Sequence, residues 1–203
     1  MRIFCIGRNY AEHIEELSNE RPGEPVIFTK PDTALLRSGD AFYYPDFSQD
    51  VHHEVEIVLK ISKTGKNISA QFAPNYYDEL AVGIDFTARD IQSKLKAKGL
   101  PWDLAKGFDG SAPVSGFVAK TRFADVKNLT FGLHVNGQER QRGNTSMMLW
   151  DFDAQIAFLS RYFTLRQGDL LFTGTPAGVA GVQVGDRLTA FIEGETLLEF
   201  DVR

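Results

Sequence analysis

A chain of 203 residues, 43% hydrophobic and 24% charged, has the size and composition of one globular domain and can bury a core without disulfide staples. Its formal net charge of −5 offers no general attraction to a phosphate backbone, so nucleic-acid binding is not expected. The single cysteine, Cys5, excludes an intrachain disulfide. The absence of a long apolar run or a signal-peptide pattern leads us to expect a cytoplasmic protein with no membrane partner.

Residues 2–6 form an apolar, β-branched run that predicts a strand, with Cys5 inside it as a small core residue. Asn9 precedes Glu12 by three, the capping-box spacing, and the helix it would start carries Tyr10, Ile14 and Leu17 on one face. His13 and Glu16 share another face of that helix. A carboxylate beside an imidazole fixes its tautomer and raises its basicity, an arrangement suited to activating water. A surface pair on an acidic helix would give the same pattern. The polar stretch 18–24 contains Pro22 and Gly23 and predicts a mobile loop, making residues 10–24 a candidate lid.

Strands are predicted over 25–29 and 54–60. The second follows His52-His53 and alternates: Val55, Ile57 and Leu59 on one face, Glu54 and Glu56 on the other with His52. Two carboxylates so placed repel unless a cation lies between them, and oxygen ligands suit Mg²⁺, Mn²⁺ or Ca²⁺. A solvent-facing strand would show the same alternation. Asp85 closes the strand predicted over 80–85 and is a candidate third ligand. Thr87, three before Asp90, would cap a helix over 88–98 that stops at Gly99.

Lys106 is a lone cation in an apolar, aromatic stretch, either snorkelling to solvent or aimed at a developing oxyanion. Strands are predicted at 129–135, 169–173 and 188–192. A turn at 193–195 leads into 196–202, and a helix over 152–162 sets Phe152, Ile156, Leu159 and Phe163 on one face. The turn 173–179 lacks the Gly-Lys pair of a P-loop but offers backbone N–H groups and hydroxyls that could hold a carboxylate. His53 and His134 read as structural. Strands outnumber helices without alternating with them, which predicts a mostly β fold of the α+β kind.

In combination and order, Gly7-Arg8-Asn9-Tyr10, Phe28-Thr29-Lys30-Pro31, His53-Glu54-Val55-Glu56, the run 85–90, Gly99-Leu100-Pro101-Trp102, Leu104-Ala105-Lys106 and Thr173-Gly174-Thr175-Pro176 resemble the fumarylacetoacetate hydrolase family, in its acylpyruvase and oxaloacetate decarboxylase branch. The likeness covers almost the whole chain. It implies one catalytic domain over 1–203, a mixed β-roll or sandwich with peripheral helices and a short lid helix, usually as a homodimer, with one Mg²⁺ or Mn²⁺ (Ca²⁺ as an alternative). It implies Glu54, Glu56 and Asp85 as metal ligands, His13 and Glu16 as a water-activating pair, and Lys106 beside the metal. Gln92 and Thr175, and further Arg8, Lys30 and Arg89, are implied substrate contacts.

The implied activity is cleavage of a C–C bond in acylpyruvate- or fumarylpyruvate-type 2,4-dioxo acids by way of a metal-bound enolate. The same enolate serves oxaloacetate decarboxylation or tautomerisation, and isomerisation of 2-hydroxyhepta-2,4-diene-1,7-dioate-type acids. These are the alternatives within enzymes. A catalytically silent β-sheet scaffold or binding protein is the alternative outside them.

Overall fold

The computed structural model describes residues 1–17, 20–37 and 39–203. Ser18 and Asn19 of the expected lid lie outside the described residues. Strands dominate, as the composition of the runs predicts, and most bounds move by only one or two residues. The observed elements include Ile3–Gly7, Val26–Lys30, Val55–Ile61, Tyr77–Ile84, Thr130–Val135, Leu170–Phe172, Arg187–Ile192 and Glu195–Asp201.

An eight-stranded mixed sheet carries the framework. Its centre runs from Ile3–Gly7, parallel to Leu170–Phe172, through Val55–Ile61 to Tyr77–Ile84, the last two pairings antiparallel. A four-stranded antiparallel sheet contains Gln138–Asn144, Thr130–Val135, Arg187–Ile192 and Glu195–Asp201. The main core contains residues from both sheets: Val55, Ile57, Leu59, Val82 and Ile84 cluster with Phe131, Leu133, Ile192 and Leu198. A smaller cluster on Ile3, Cys5, Val58, Ala81 and Phe172 contains the alternate residues of the central strands. Cys5 is fully buried there, and burial pushes its thiol up, consistent with a packing role. Both faces of the central strands are therefore covered.

A three-stranded sheet of Val51–His53, Thr87–Ala88 and Ala180–Gly181 sits beside the larger one. The chain leaves it at Glu54 and enters the large sheet at Val55. This change of sheet at a single residue sets the position of the glutamate.

Two expected caps are corrected. Helix α1 spans Ala11–Glu16 and begins after Tyr10 with no side-chain cap. Asn9 is fully buried and spends its amide elsewhere: Nδ2 donates to the carbonyls of Trp150 (3.0 Å) and Thr173 (2.8 Å), and Oδ1 accepts from Trp150 N (2.9 Å). Helix α2 spans Arg89–Ala97, and Thr87 does not cap it because Thr87 and Ala88 are taken into the small sheet opposite His52 and Val51. Gly99, at φ +64°, follows α2 as expected of a helix stop. A short helix α3 covers Asp103–Lys106, and α4 covers Phe152–Tyr162 with Phe152, Ile156 and Leu159 buried.

Asn9 ties the end of the first strand to the start of α4 and to the turn after Leu170–Phe172. Replacing it with Ala leaves buried backbone groups short of partners. Asn9→Ala is expected to lower unfolding free energy by about 2–4 kcal/mol, read as a reduced urea midpoint with an unchanged slope.

Candidate active site

The register of the central strands builds the site. Val55 stands opposite Ile84 and Glu56 opposite Gly83, which places Glu54 next to Asp85 at the open end of the pair. The backbone seals this end, with Asp85 N donating to Glu54 O at 2.8 Å. The third strand ends at Phe172, and Gly174, at φ +108°, turns its N–H onto Glu56 Oε2 at 2.7 Å. A Cβ at 174 would meet Asn9 Cβ at 2.6 Å, so a side chain does not fit there.

One oxygen from each of Glu54, Glu56 and Asp85 lies within 4.8 Å of the others, a span two metal–oxygen bonds of about 2.0–2.6 Å can bridge. The residues are 5%, 2% and 1% exposed, so the reading of a solvent-facing acidic strand is excluded. Buried Asp85 Oδ1 receives no hydrogen bond, although Lys30 Nζ lies 2.8 Å away as an ion-pair contact. Three hard oxygen donors with one such lone pair fit a divalent cation. His52 shares the strand face but pairs with Asp50 instead, at 2.9 Å.

Cations hold the carboxylates together. Lys106 Nζ donates to Glu54 Oε2 at 2.7 Å and Asp85 Oδ2 at 2.6 Å, so the snorkelling alternative is excluded. Arg89 donates to Glu54 Oε1 and to Gln92 Oε1. Burial alone would raise Glu54, but Lys106, Arg89 and His13 outweigh it and hold its carboxyl well below the usual range. Glu56 goes the other way: burial and the charge of Asp85 push it well above that range, against the opposing pull of Gly174 N–H. For Lys106, burial favours the neutral amine, yet Asp85 and Glu54 prevail and keep it ammonium.

A narrow cleft of about 40 Å³ opens over this centre. Arg8, His13, Glu54, Glu56, Asp85, Arg89, Gln92, Lys106 and Thr175 all line it. Glu16 and Lys30 do not. Glu16 stands behind His13, accepting from its Nδ1 at 3.2 Å and from Gly178 N at 3.0 Å, which docks α1 on the 173–179 turn. Lys30 is buried behind Asp85 and donates to the carbonyls of Phe86, Lys106 and Ser111 and to Ser111 Oγ.

Sequence reading missed Lys96, Phe28, Trp102 and Gln141. Lys96 lines the cleft and follows Arg89 and Gln92 at helical spacing, which is the signal that could have found it. Phe28 and Trp102 wall the cleft, with Lys106 Nζ 5.0 Å from the Phe28 ring centroid. Gln141 binds His53 and Thr175 from a strand too polar to be predicted. His53 is buried, and His134 packs on Phe191 at 5.4 Å, in accord with structural roles.

A β fold that gathers three buried carboxylates, an imidazole backed by a carboxylate and a cluster of cations in one cleft has the make-up of an enzyme active site. The match of the fumarylacetoacetate hydrolase C-terminal family model to residues 2–203 is decisive: the chain belongs to that family, whose relatives are enzymes. It is 42% identical over 200 residues to the mitochondrial oxaloacetate tautomerase FAHD1 of Bos taurus, covering 98% of this chain and 90% of that one. The oxaloacetate tautomerase YcgM of Escherichia coli is 41% identical over 197 residues, covering 97% and 90%. A crystal structure of fumarylpyruvate hydrolase from Pseudomonas aeruginosa with Mn²⁺ and pyruvate superposes with a TM-score of 0.92 at 36% identity, covering 100% and 88%. That Mn²⁺ complex supports a divalent metal in the family, as the acidic triad does here. No helix among the described residues is long and apolar enough to cross a membrane.

Burial and the charge of Asp85 raise the Glu56 carboxyl, and a divalent cation binds its carboxylate form, so cation binding competes with protonation at this side chain. Cation affinity is therefore expected to rise with pH. Calorimetry in buffers of different ionisation enthalpy is expected to detect proton release; binding without it would contradict this account. Asp85→Ala is expected to abolish the thermal shift that Mn²⁺ or Mg²⁺ gives the wild type, which reaches about 2.7 kcal/mol at 100-fold over Kd.

Proposed function

We propose that the protein interconverts the keto and enol forms of a small 2-oxo dicarboxylic acid, with oxaloacetate as the substrate. One observation carries this reading: His13, an imidazole whose second ring nitrogen has no hydrogen-bond partner among the described residues, lines the same cleft as the three-carboxylate centre and Lys106. A divalent cation held by Glu54, Glu56 and Asp85 would supply Lewis-acid polarisation of a 2-oxo acid. Tautomerisation then needs one proton to leave the carbon beside the keto group and one to reach the keto oxygen.

His13 donates through Nδ1 to Glu16, so Nε2 carries the lone pair that takes and returns the proton. The ammonium of Lys106 stabilises negative charge as it grows on oxygen. Arg8, Arg89 and Lys96 give the cleft the positive charge a dianion requires in a protein of net charge −5. Arg8 holds a left-handed backbone, φ +58°, and its guanidinium makes no hydrogen bond or ion pair among the described residues.

This puts enolisation ahead of the C–C hydrolysis expected from the sequence, because relatives at 41–42% identity are named oxaloacetate tautomerases. Acylpyruvate hydrolysis is the second reading. The His13–Glu16 pair favours it, since a backed imidazole can also draw hydroxide from water.

Mg²⁺- or Mn²⁺-loaded protein is expected to accelerate ketonisation of enol-oxaloacetate, and Lys106→Met to lose about 10²–10³ of that acceleration. Glu16→Gln is expected to slow acetylpyruvate cleavage about 10²-fold or more while cation affinity stays unchanged. Cleavage of acetylpyruvate with no effect on oxaloacetate would reverse the order of the two readings.

A further inference from the structure

Gln141 lies on Gln138–Asn144, a strand of the four-stranded sheet that supplies no cleft-lining residue, yet all four of its hydrogen-bonding positions are used. Oε1 accepts from Val55 N at 3.0 Å and meets His53 Nδ1 at 2.9 Å. Nε2 donates to Pro176 O at 2.9 Å and to Thr175 Oγ1 at 2.9 Å. The side chain is 1% exposed.

The polarity of this amide is fixed by the backbone. Val55 N–H can only donate and Pro176 C=O can only accept, so oxygen must face the first and nitrogen the second. The remaining amide hydrogen then points at Thr175 Oγ1, which must accept it. Having accepted, the Thr175 hydroxyl is left to donate its own proton. Its contact with Pro176 O is long, at 3.5 Å, and Thr175 also lines the cleft, where a closer acceptor can take that proton.

We propose that Gln141 is a positioning residue that sets the Thr175 hydroxyl as a hydrogen-bond donor to an anionic oxygen of the substrate, while clamping the turn at 175–176 to the strand start at Val55. The same amide therefore ties the substrate contact to the segment carrying Glu54 and Glu56. His53 completes the clamp by donating through Nδ1 to the same Oε1. This role rests on the reading that a 2-oxo acid occupies the cleft.

The test is calorimetric binding of pyruvate to Mn²⁺-loaded wild type, Gln141→Met, Thr175→Val and the double variant, with Mn²⁺ affinity measured for each. Both single variants are expected to weaken pyruvate about 10-fold or more, and the double variant to be no weaker than the worse single one. Mn²⁺ affinity is expected to stay within about threefold of the wild type. Gln141→Glu gives a second arm. Its carboxylate would turn the Thr175 proton away from the cleft, so pyruvate binding relative to wild type is expected to be poor at high pH. It should recover as the carboxyl gains a donor hydrogen at low pH. Penalties that multiply in the double variant, or a Gln141→Glu deficit independent of pH, would overturn the role of Gln141 alone. A wild type that takes up Mn²⁺ but no pyruvate would overturn the 2-oxo acid reading and this role with it.

Discussion

Three acidic side chains buried with their oxygens within 4.8 Å of one another are a liability that the rest of this fold is arranged to offset. Ionised and unpaired, they would repel one another in a medium that screens poorly. The chain meets them with three cations from three elements: Lys30 from the end of Val26–Lys30, Arg89 from the start of α2, and Lys106 from the end of α3. Each of those elements is drawn to the open end of the central strands. Lys30 also binds the carbonyl of Lys106, so the buried ammonium behind the site fixes the backbone that carries the ammonium in front of it. Catalytic geometry and the packing of α3 are one arrangement.

The carboxylates are not equivalent. Lys106 and Arg89 hold the Glu54 carboxyl well below the usual range, whereas burial and Asp85 push Glu56 well above it despite the Gly174 N–H and the charge of Lys106. A divalent cation would supply the charge that Glu56 lacks. In that reading cation uptake and proton loss are linked chiefly through Glu56.

Much of this was legible in the sequence because strand periodicity maps directly onto faces. Val55, Ile57 and Leu59 enter the main core, and the turn after Ile192, with Glu193 and Gly194 both at positive φ, opens into the predicted last strand. What failed did so for local reasons. Asn9 and Thr87 have cap-forming side chains, but tertiary partners claim Asn9 and a short sheet claims Thr87. The strand Gln138–Asn144 is polar outside and sends only Gln141, Gly143 and their like inward, so its alternation carries no apolar signal. Its entry turn, Asn136-Gly137 with φ +53° and +76°, does carry one, since that pair suits a tight hairpin. In the site, the motif residues named positions but not depth: nothing in the spacing separates Lys106, in the cleft, from Lys30, behind it.

The carboxylate centre and Lys106 serve any reaction that places an electron pair beside a keto group, so they cannot by themselves select one. Selection falls to what surrounds them. Helix α1 brings His13 and is pinned through Glu16 to Gly178 N; the same turn carries Thr175, and Gln141 ties that turn to the strand bearing the carboxylates. The proposed base, substrate contact and cation ligands thus share one hydrogen-bonded frame. Where the base reaches carbon, the frame supports proton transfer; where a water stands between, it supports hydrolysis. In the proposed reading, how α1 seats on the 173–179 turn sets the reach of His13 Nε2 toward a bound acid, and that reach distinguishes the two reactions.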